Sequence, residues 1–388
     1  MKKYSYHFPQ EVVEEIMSWL PPKSLIRFKC VNKSWYTLIR GLIKDPKFVG
    51  KHLNNLNNNI FSPAYFIFSG TTPFNTKDYL DSYSVYRREL LLSIFDDFVD
   101  PKDRIRCADE EICLPVMAEE KNELLQIKTC HCNGIICLAF QGTFVLYNPA
   151  IKELRFLPKP CLGGSFSQGM GFGYDSQANN YKVVKFGDYN TRKVSARAEL
   201  YSLKTDTWRE IQVPLGAGYV SIPHREVYLD GNFYWLMEDV NGDSDNSDDI
   251  IVSFDMRDEV FLSMLLPDDL QTPEVNCCSL TVWKESIALF FFPGQKGAPL
   301  SIDIWAIDKG SDCFLITKQV SIKPLLDIAC PVTFWKDDEI IMKGRKGGLV
   351  SYNLCTQKLR KLDIGGVKRV SSWSLFYVKS LVSVEKQQ

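Results

Sequence analysis

Four histidines, His7, His52, His131 and His224, are the first residues to test for chemistry. None stands at the spacing of a nucleophile–base pair or of a paired metal site. Cys130-His131-Cys132 has metal-ligand types, but no second pair of ligands matches it. On a strand the two thiols would share one face and the imidazole would take the other. Gly169-Met170-Gly171-Phe172-Gly173 is glycine-rich, yet no helix follows to cradle a phosphate, so a close-packed turn is expected. The run from Glu238 to Asp249 holds six acids and no base. Counted as a calcium loop from Asp239, it has Ser244 where glycine is required and Ile250 where glutamate is required. Glu238, Asp239, Asp243, Asp245, Asp248 and Asp249 therefore read as a solvated loop, or as an acidic lobe that docks a basic target. No catalytic group, metal site or cofactor is expected.

The chain has 388 residues, 45% of them hydrophobic, enough for a large core or two domains. Its net charge is −1, but the first fifty residues hold nine Lys/Arg against four Asp/Glu. A basic head on a mildly acidic body suggests an acidic partner for the head. No dense Lys/Arg stripe speaks for nucleic acid. The twelve cysteines form no C-x-x-C, and no apolar leader or long apolar run is present. The expected setting is the reducing cytoplasm, with the nucleus as a further compartment, and with free thiols.

Elements that could position a binding face appear at once. Pro9 suits a first helical position, followed by Glu11, Glu14 and Glu15 near the positive end of the helix dipole. Val12, Ile16 and Leu20 share a face, and Pro21-Pro22 ends the helix. Ser24 is the expected cap of a second helix, Ser34 of a third, and Asp45 of a fourth that starts at Pro46. About fifty residues cannot bury all of this apolar surface. Either the rest of the chain or a partner must cover the surplus, and the two-sided apolarity of the first helix favours a partner.

The run from Phe8-Pro9 through Leu20-Pro21-Pro22-Lys23-Ser24-Leu25-Ile26-Arg27-Phe28-Lys29-Cys30-Val31 to Lys33-Ser34-Trp35 and Leu38-Ile39 resembles an F-box. Phe8 stands where Leu is commoner. The resemblance implies docking on a Skp-type adaptor within a cullin ubiquitin ligase. It places Phe8, Pro9, Ile16, Leu20, Pro21 and Leu25 against the adaptor. Phe28, Val31, Trp35, Leu38 and Ile39 would be divided between the adaptor and the module's own core.

Beyond the head, a strand pair recurs about every fifty residues, marked by Tyr147, Tyr201, Phe254, Trp305 and Tyr352. A second hairpin lies between successive copies, with Asn133-Gly134 and Asp230-Gly231 at turn positions. Four short strands per fifty residues is the period of a propeller blade. Five units are readable from about 130 to 364. Strands at Ala64–Phe68, Ser84–Tyr86 and Trp373–Val378 would combine into a sixth and close the ring.

Leu146-Tyr147-Asn148-Pro149-Ala150, Gly171-Phe172-Gly173-Tyr174-Asp175 and Leu200-Tyr201-Ser202-Leu203 resemble the plant F-box-associated domain, and within it the S-locus F-box group. The resemblance implies a non-catalytic receptor that brings a target to a ubiquitin ligase, the target of that group being non-self S-RNase of the pistil. The expected layout is α+β: a helical F-box over 1–53, a linker over 54–60, and an all-β propeller-like domain of about six blades over 61–388. Connections near 70–83, 159–169, 187–197, 215–225 and 238–249 are the expected recognition loops. The competing readings are a protein-binding module outside any ligase and a small-molecule binder using the central channel.

Overall fold

The computed structural model describes residues 9–57, 64–71, 87–99, 105–112, 128–140, 142–162, 169–186, 197–213, 219–239, 249–271, 277–292, 299–309, 314–363 and 369–385. Four helices lead: α1 (Gln10–Ser18), α2 (Pro22–Phe28), α3 (Lys33–Lys44) and α4 (Pro46–Asn57). None is long and apolar enough to cross a membrane.

Local capping explains where these helices start, and corrects three expectations. Pro9 lies just outside α1, its carbonyl accepting from Val12 N at 3.1 Å. Pro22 opens α2, so Ser24 falls inside the helix instead of capping it. Asn32 Oδ1 accepts from Trp35 N at 2.9 Å and caps α3 in place of Ser34. Asp45 does cap α4, accepting from Lys47 N at 2.9 Å. That helix runs through Asn57, so the first four residues of the expected linker are helical. Asn55 holds them there by donating to Ser18 Oγ at 2.8 Å.

The strands follow in antiparallel runs: β1 (Ala64–Thr71), β2 (Arg87–Val99) and β3 (Ile105–Ile112); β4 (Lys128–Cys132), β5 (Ile135–Phe140), β6 (Thr143–Asn148) and β7 (Glu153–Phe156); β8 (Gly169–Asp175), β9 (Asn180–Phe186), β10 (Arg197–Ser202) and β11 (Thr207–Gln212). Then come β12 (Tyr219–Leu229), β13 (Asn232–Asp239), β14 (Ile250–Asp255) and β15 (Phe261–Leu265), followed by β16 (Cys277–Trp283), β17 (Ser286–Phe292), β18 (Leu300–Lys309) and β19 (Phe314–Leu325). The last are β20 (Ile328–Lys336), β21 (Glu339–Gly344), β22 (Leu349–Asn353), β23 (Leu359–Asp363) and β24 (Arg369–Tyr377).

Among the described residues these strands form five sheets, not about six separate ones: four sheets of four strands and one of eight. The eight-stranded sheet contains two meanders, β20-β21-β22-β23 and β24-β1-β2-β3. They fuse because Leu362 and Asp363 of β23 pair in parallel with Ile105 and Arg106 of β3. The expected union of the two chain ends is present, with β1 antiparallel to β24 through Phe66↔Phe376 and Ile67↔Leu375. Residues 84–86 lie outside the described residues. The inner strands neighbour one another in the order β4, β8, β12, β16, β20, β24, and β24 returns to β4, so the ring is closed.

Each unit is an up-and-down meander, so its first and third turns lie at one end. Contacts between neighbours align these ends round the ring. Asn133 donates to Tyr181 Oη at 3.2 Å, Lys182 to Met256 O at 2.6 Å, and Trp283 Nε1 to Asp337 O at 2.7 Å. Positive φ at Asn133, Asp230 and Lys284 makes the tight first turns. Buried aromatic and aliphatic side chains fill the spaces between units, with Trp235, Phe254 and Phe172 fully enclosed. Gly171 lets two units approach: a Cβ there would come within 2.6 Å of Trp235.

A tail of residues 378–385 crosses the turn-bearing end. Asn148 donates to Val382 O at 2.7 Å, and Ser380 Oγ donates to Asn133 O at 2.6 Å. Gly134, at φ +84°, has no room for a side chain beside Ser380. The tail also reaches the head. Leu381, fully buried, joins Met17, Leu25, Ile39, Leu42 and Phe48 in one apolar cluster, and Ile151 from the β6–β7 turn packs against it.

Candidate adaptor-docking face

The head keeps part of its apolar surface open. Val13 and Met17 of α1 point inward, while Val12 and Ile16 of the same helix and Trp19 just past its end remain 41%, 54% and 50% exposed. Their i, i+4, i+7 spacing makes one stripe. Glu15 steadies it, accepting from Trp19 Nε1 at 3.1 Å and pairing with Lys51 of α4. Two further exposed groups, Val31 and Tyr36, flank the α2–α3 turn. Lys23, Arg27 and Lys33 are exposed on the same helices, so apolar and basic groups alternate there.

The expected docking residues divide. Pro9, Ile16, Pro21 and Val31 are exposed, and Leu20, Phe28, Trp35 and Leu38 are half-buried against the head's own core. Leu25 and Ile39 are enclosed in that core and belong to no open face. The reason is geometric: Leu25 and Ile39 lie where α2 and α3 meet α1 and α4, and Leu381 closes the remaining gap. Phe8 lies outside the described residues. Trp19 and Val12 had sequence signals, being apolar on the outer side of α1. Tyr36 had none, because its phenol sits among polar neighbours on α3.

His52 sits beneath this face. Its Nε2–H donates to Leu20 O at 2.8 Å, at the α1–α2 corner. Burial holds its pKa below the usual imidazole value, and the carbonyl only partly offsets this. His131 is pushed down to about 3 by burial. Both groups bind a proton more readily when unfolded, so their contribution is full above the unfolded pKa of about 6.5 and is lost as pH falls below it. The melting temperature of the full chain is expected to drop steadily from pH 7 to pH 5. His52→Gln, which keeps a donor toward Leu20, should flatten part of that slope. Equal melting temperatures at pH 5 and 7 would contradict this.

The motifs set aside for chemistry fall into structure. Cys130 and Cys132 are buried in the apolar cluster while His131 turns away, its ring edge-on to Tyr377 at 5.3 Å between centroids. Gly134 N donates to His131 Nε2 at 2.9 Å. Burial pushes the Cys132 and Cys137 thiols far up, so neither is a ready thiolate. Gly169–Gly173 forms β8 rather than the turn expected, since its glycines admit the rings of the next unit. Among the described residues, no three His, Cys, Asp or Glu gather as metal ligands.

Of the acidic run, Glu238 and Asp239 end β13, their backbones paired with Val220 and Tyr219. Asp249 precedes β14, its carbonyl accepting from Leu266 N at 3.0 Å. Asp243, Asp245 and Asp248 lie outside the described residues. The strand ends that flank four of the expected recognition connections, β1 and β2, β7 and β8, β9 and β10, and β13 and β14, lie at the end of the ring opposite the turns, Leu381 and the helical head. The expected loop over 215–225 is corrected: residues 219–225 belong to β12, where Tyr219, Val220 and Ser221 pair with Asp239, Glu238 and Met237 of β13.

Comparison with known proteins agrees with this layout. The F-box domain profile matches residues 6–47, and the profile for the F-box associated beta propeller domain matches residues 81–384. An F-box/kelch-repeat protein of Arabidopsis thaliana is 26% identical over 90% of this chain and 88% of its own length. Putative F-box only protein 15 of the same plant is 25% identical over 89% and 84%. A putative F-box protein of Arabidopsis thaliana is 28% identical over 68% and 61%. With an F-box helical head set on a closed ring of β-meanders, the chain belongs to the F-box associated β-propeller family.

Proposed function

We propose that this chain is the substrate-recognition subunit of a Skp–cullin–F-box ubiquitin ligase. The observation that carries the reading is the placement of two surfaces at opposite ends. The open stripe of Val12, Ile16 and Trp19 belongs to the head at the turn-bearing end. The strand ends that lead into the long connections are at the other. Such a body can hold an adaptor and a target at once without competition between them. Exposed Trp and Ile are suited to be anchors of a protein interface, and the basic rim fits an acidic adaptor. The chain would supply no reacting group. Its effect is to raise the concentration of target lysines near a ubiquitin-charged enzyme on the same ligase.

For the target we take the finer reading that a basic secreted ribonuclease, the non-self S-RNase of the pistil, docks on the far end. The six acids between Glu238 and Asp249 support it, because they would steer a basic ligand. The test is a reconstituted ligase with adaptor, cullin and candidate ribonucleases. Ubiquitin transfer that needs all components is the expected result, and absence of transfer to any captured target would overturn the ligase reading. Replacing the six acids by amides should slow association at low salt by about ten-fold. An unchanged association rate would remove the acidic lobe from recognition.

A further inference from the structure

The far end of the ring carries a second ordered patch, apart from the acidic run. The β19–β20 connection and the β21–β22 turn both lie there, because the first and third turns of each unit lie at the other end. Backbone bonds tie the two together: Arg345 N donates to Asp327 O at 2.8 Å, and Gly344 N donates to Gly348 O at 2.8 Å. Asp327, at φ +61°, makes the connection tight. The sheet therefore holds the patch in shape before any partner arrives.

Its composition is apolar at the tip and basic around it. Leu326 is 73% exposed, the highest value for a large apolar side chain among the described residues. Pro324 is exposed beside it, and the exposed Pro299 precedes Leu300, which pairs with Leu325. Lys323, Arg345 and Lys346 are exposed and Lys343 is half-buried, against the single carboxylate of Asp327. Four bases and one acid on two adjoining turns make a local positive field.

Such a surface fits an anion that also offers apolar contact. An anionic bilayer and an acidic protein segment both have that chemistry, and the neighbouring charges decide between them. The connection from β13 to β14, at the same end, carries six acids in its sequence. They oppose the approach of a flat anionic bilayer, whereas a narrow segment can settle on the basic turns alone. We propose that the patch docks an extended acidic segment of the target protein, its carboxylates against Lys323, Lys343 and Lys346 and an apolar side chain against Leu326 and Pro324. This rests on the reading that the far end receives the target. It adds that the target presents both signs, bases toward the β13–β14 connection and acids toward these two turns.

The test uses the full chain and three probes: a labelled peptide of glutamates flanking two leucines, the same peptide with serines in place of the leucines, and vesicles containing phosphatidylserine. Saturable binding of the leucine peptide is expected, about ten-fold tighter than the serine peptide and weakened by salt. Lys323→Glu combined with Lys346→Glu should weaken it by about ten-fold or more. Leu326→Ser should weaken it by about five-fold. Melting temperature and adaptor capture should not change, because all three side chains are exposed and remote from the head. Should the double variant fold poorly, Leu326→Ser gives the same reading. No saturable binding of the leucine peptide, equal binding of the serine peptide, tighter binding of the vesicles, or an affinity that neither variant moves would overturn the proposal. Failure of the native chain to capture the adaptor would instead count against the ligase reading.

Discussion

Ile16→Asp combined with Trp19→Ala is expected to abolish capture of a Skp-type adaptor, with affinity falling by at least about 100-fold. The melting temperature of the full chain should stay within about 2 °C, because exposed side chains carry little folding energy. Ile16 and Trp19 are each about half exposed, and their stripe meets no other described element of the ring. On docking, a carboxylate at residue 16 would enter an apolar interface without a partner, which is costly. Leu25→Asp provides the contrast. It also loses capture, but by unfolding the head, so its melting transition falls as well. Capture of the adaptor by a well-folded double variant would place the interface elsewhere.

The second large effect is expected at Leu381. Leu381→Ala should destabilise the head–ring joint by about 2–5 kcal/mol, and Leu381→Asp by more, since a buried carboxylate joins the cavity. Leu381 is fully buried among Met17, Leu25, Ile39, Leu42 and Phe48, although it lies more than three hundred residues from them in sequence. The predicted readout is a separate early step in urea unfolding, accompanied by protease cleavage between α4 and β1. A single unshifted transition would show that the head stands without the tail.

The distance between Leu381 and the head also explains what the sequence could and could not disclose. The helices were legible from proline positions and from Asp45, because capping is a local matter. Ser24 and Ser34 misled because the stronger local signals, Pro22 at a first position and Asn32 with its side-chain acceptor, stand just before them. The open apolar stripe was legible on α1, where the two-sided apolarity of the helix left residues that the head's own core could not cover. Leu25, expected on the open face, lies in the core instead, because helical spacing shows which residues share a face but not which face meets another helix; Ile39 takes the core side of its expected division.

In the ring, the recurrent aromatics marked the third strand of their units. Tyr147↔Leu154, Tyr201↔Trp208, Phe254↔Phe261 and Tyr352↔Leu359 keep one register. Trp305 breaks it, pairing with Lys318 after an irregularity at Ile304, because β18 and β19 are longer than their counterparts. The fusion of two units through Leu362 and Ile105 had no signal, since two residues of parallel pairing leave no period.

The pairing of β1 with β24 has a consequence for the birth of this protein on the ribosome. Residue 64 emerges early, and its partner strand begins only at residue 369. At translation rates of roughly 5–20 residues per second, the wait is roughly 15–60 s. Throughout that interval β1 presents an unpaired edge, and the nascent head lacks the leucine that finishes its interior. A chaperone that shields apolar strands during elongation should therefore govern yield, and stop codons placed before residue 369 should give aggregates rather than shorter functional receptors.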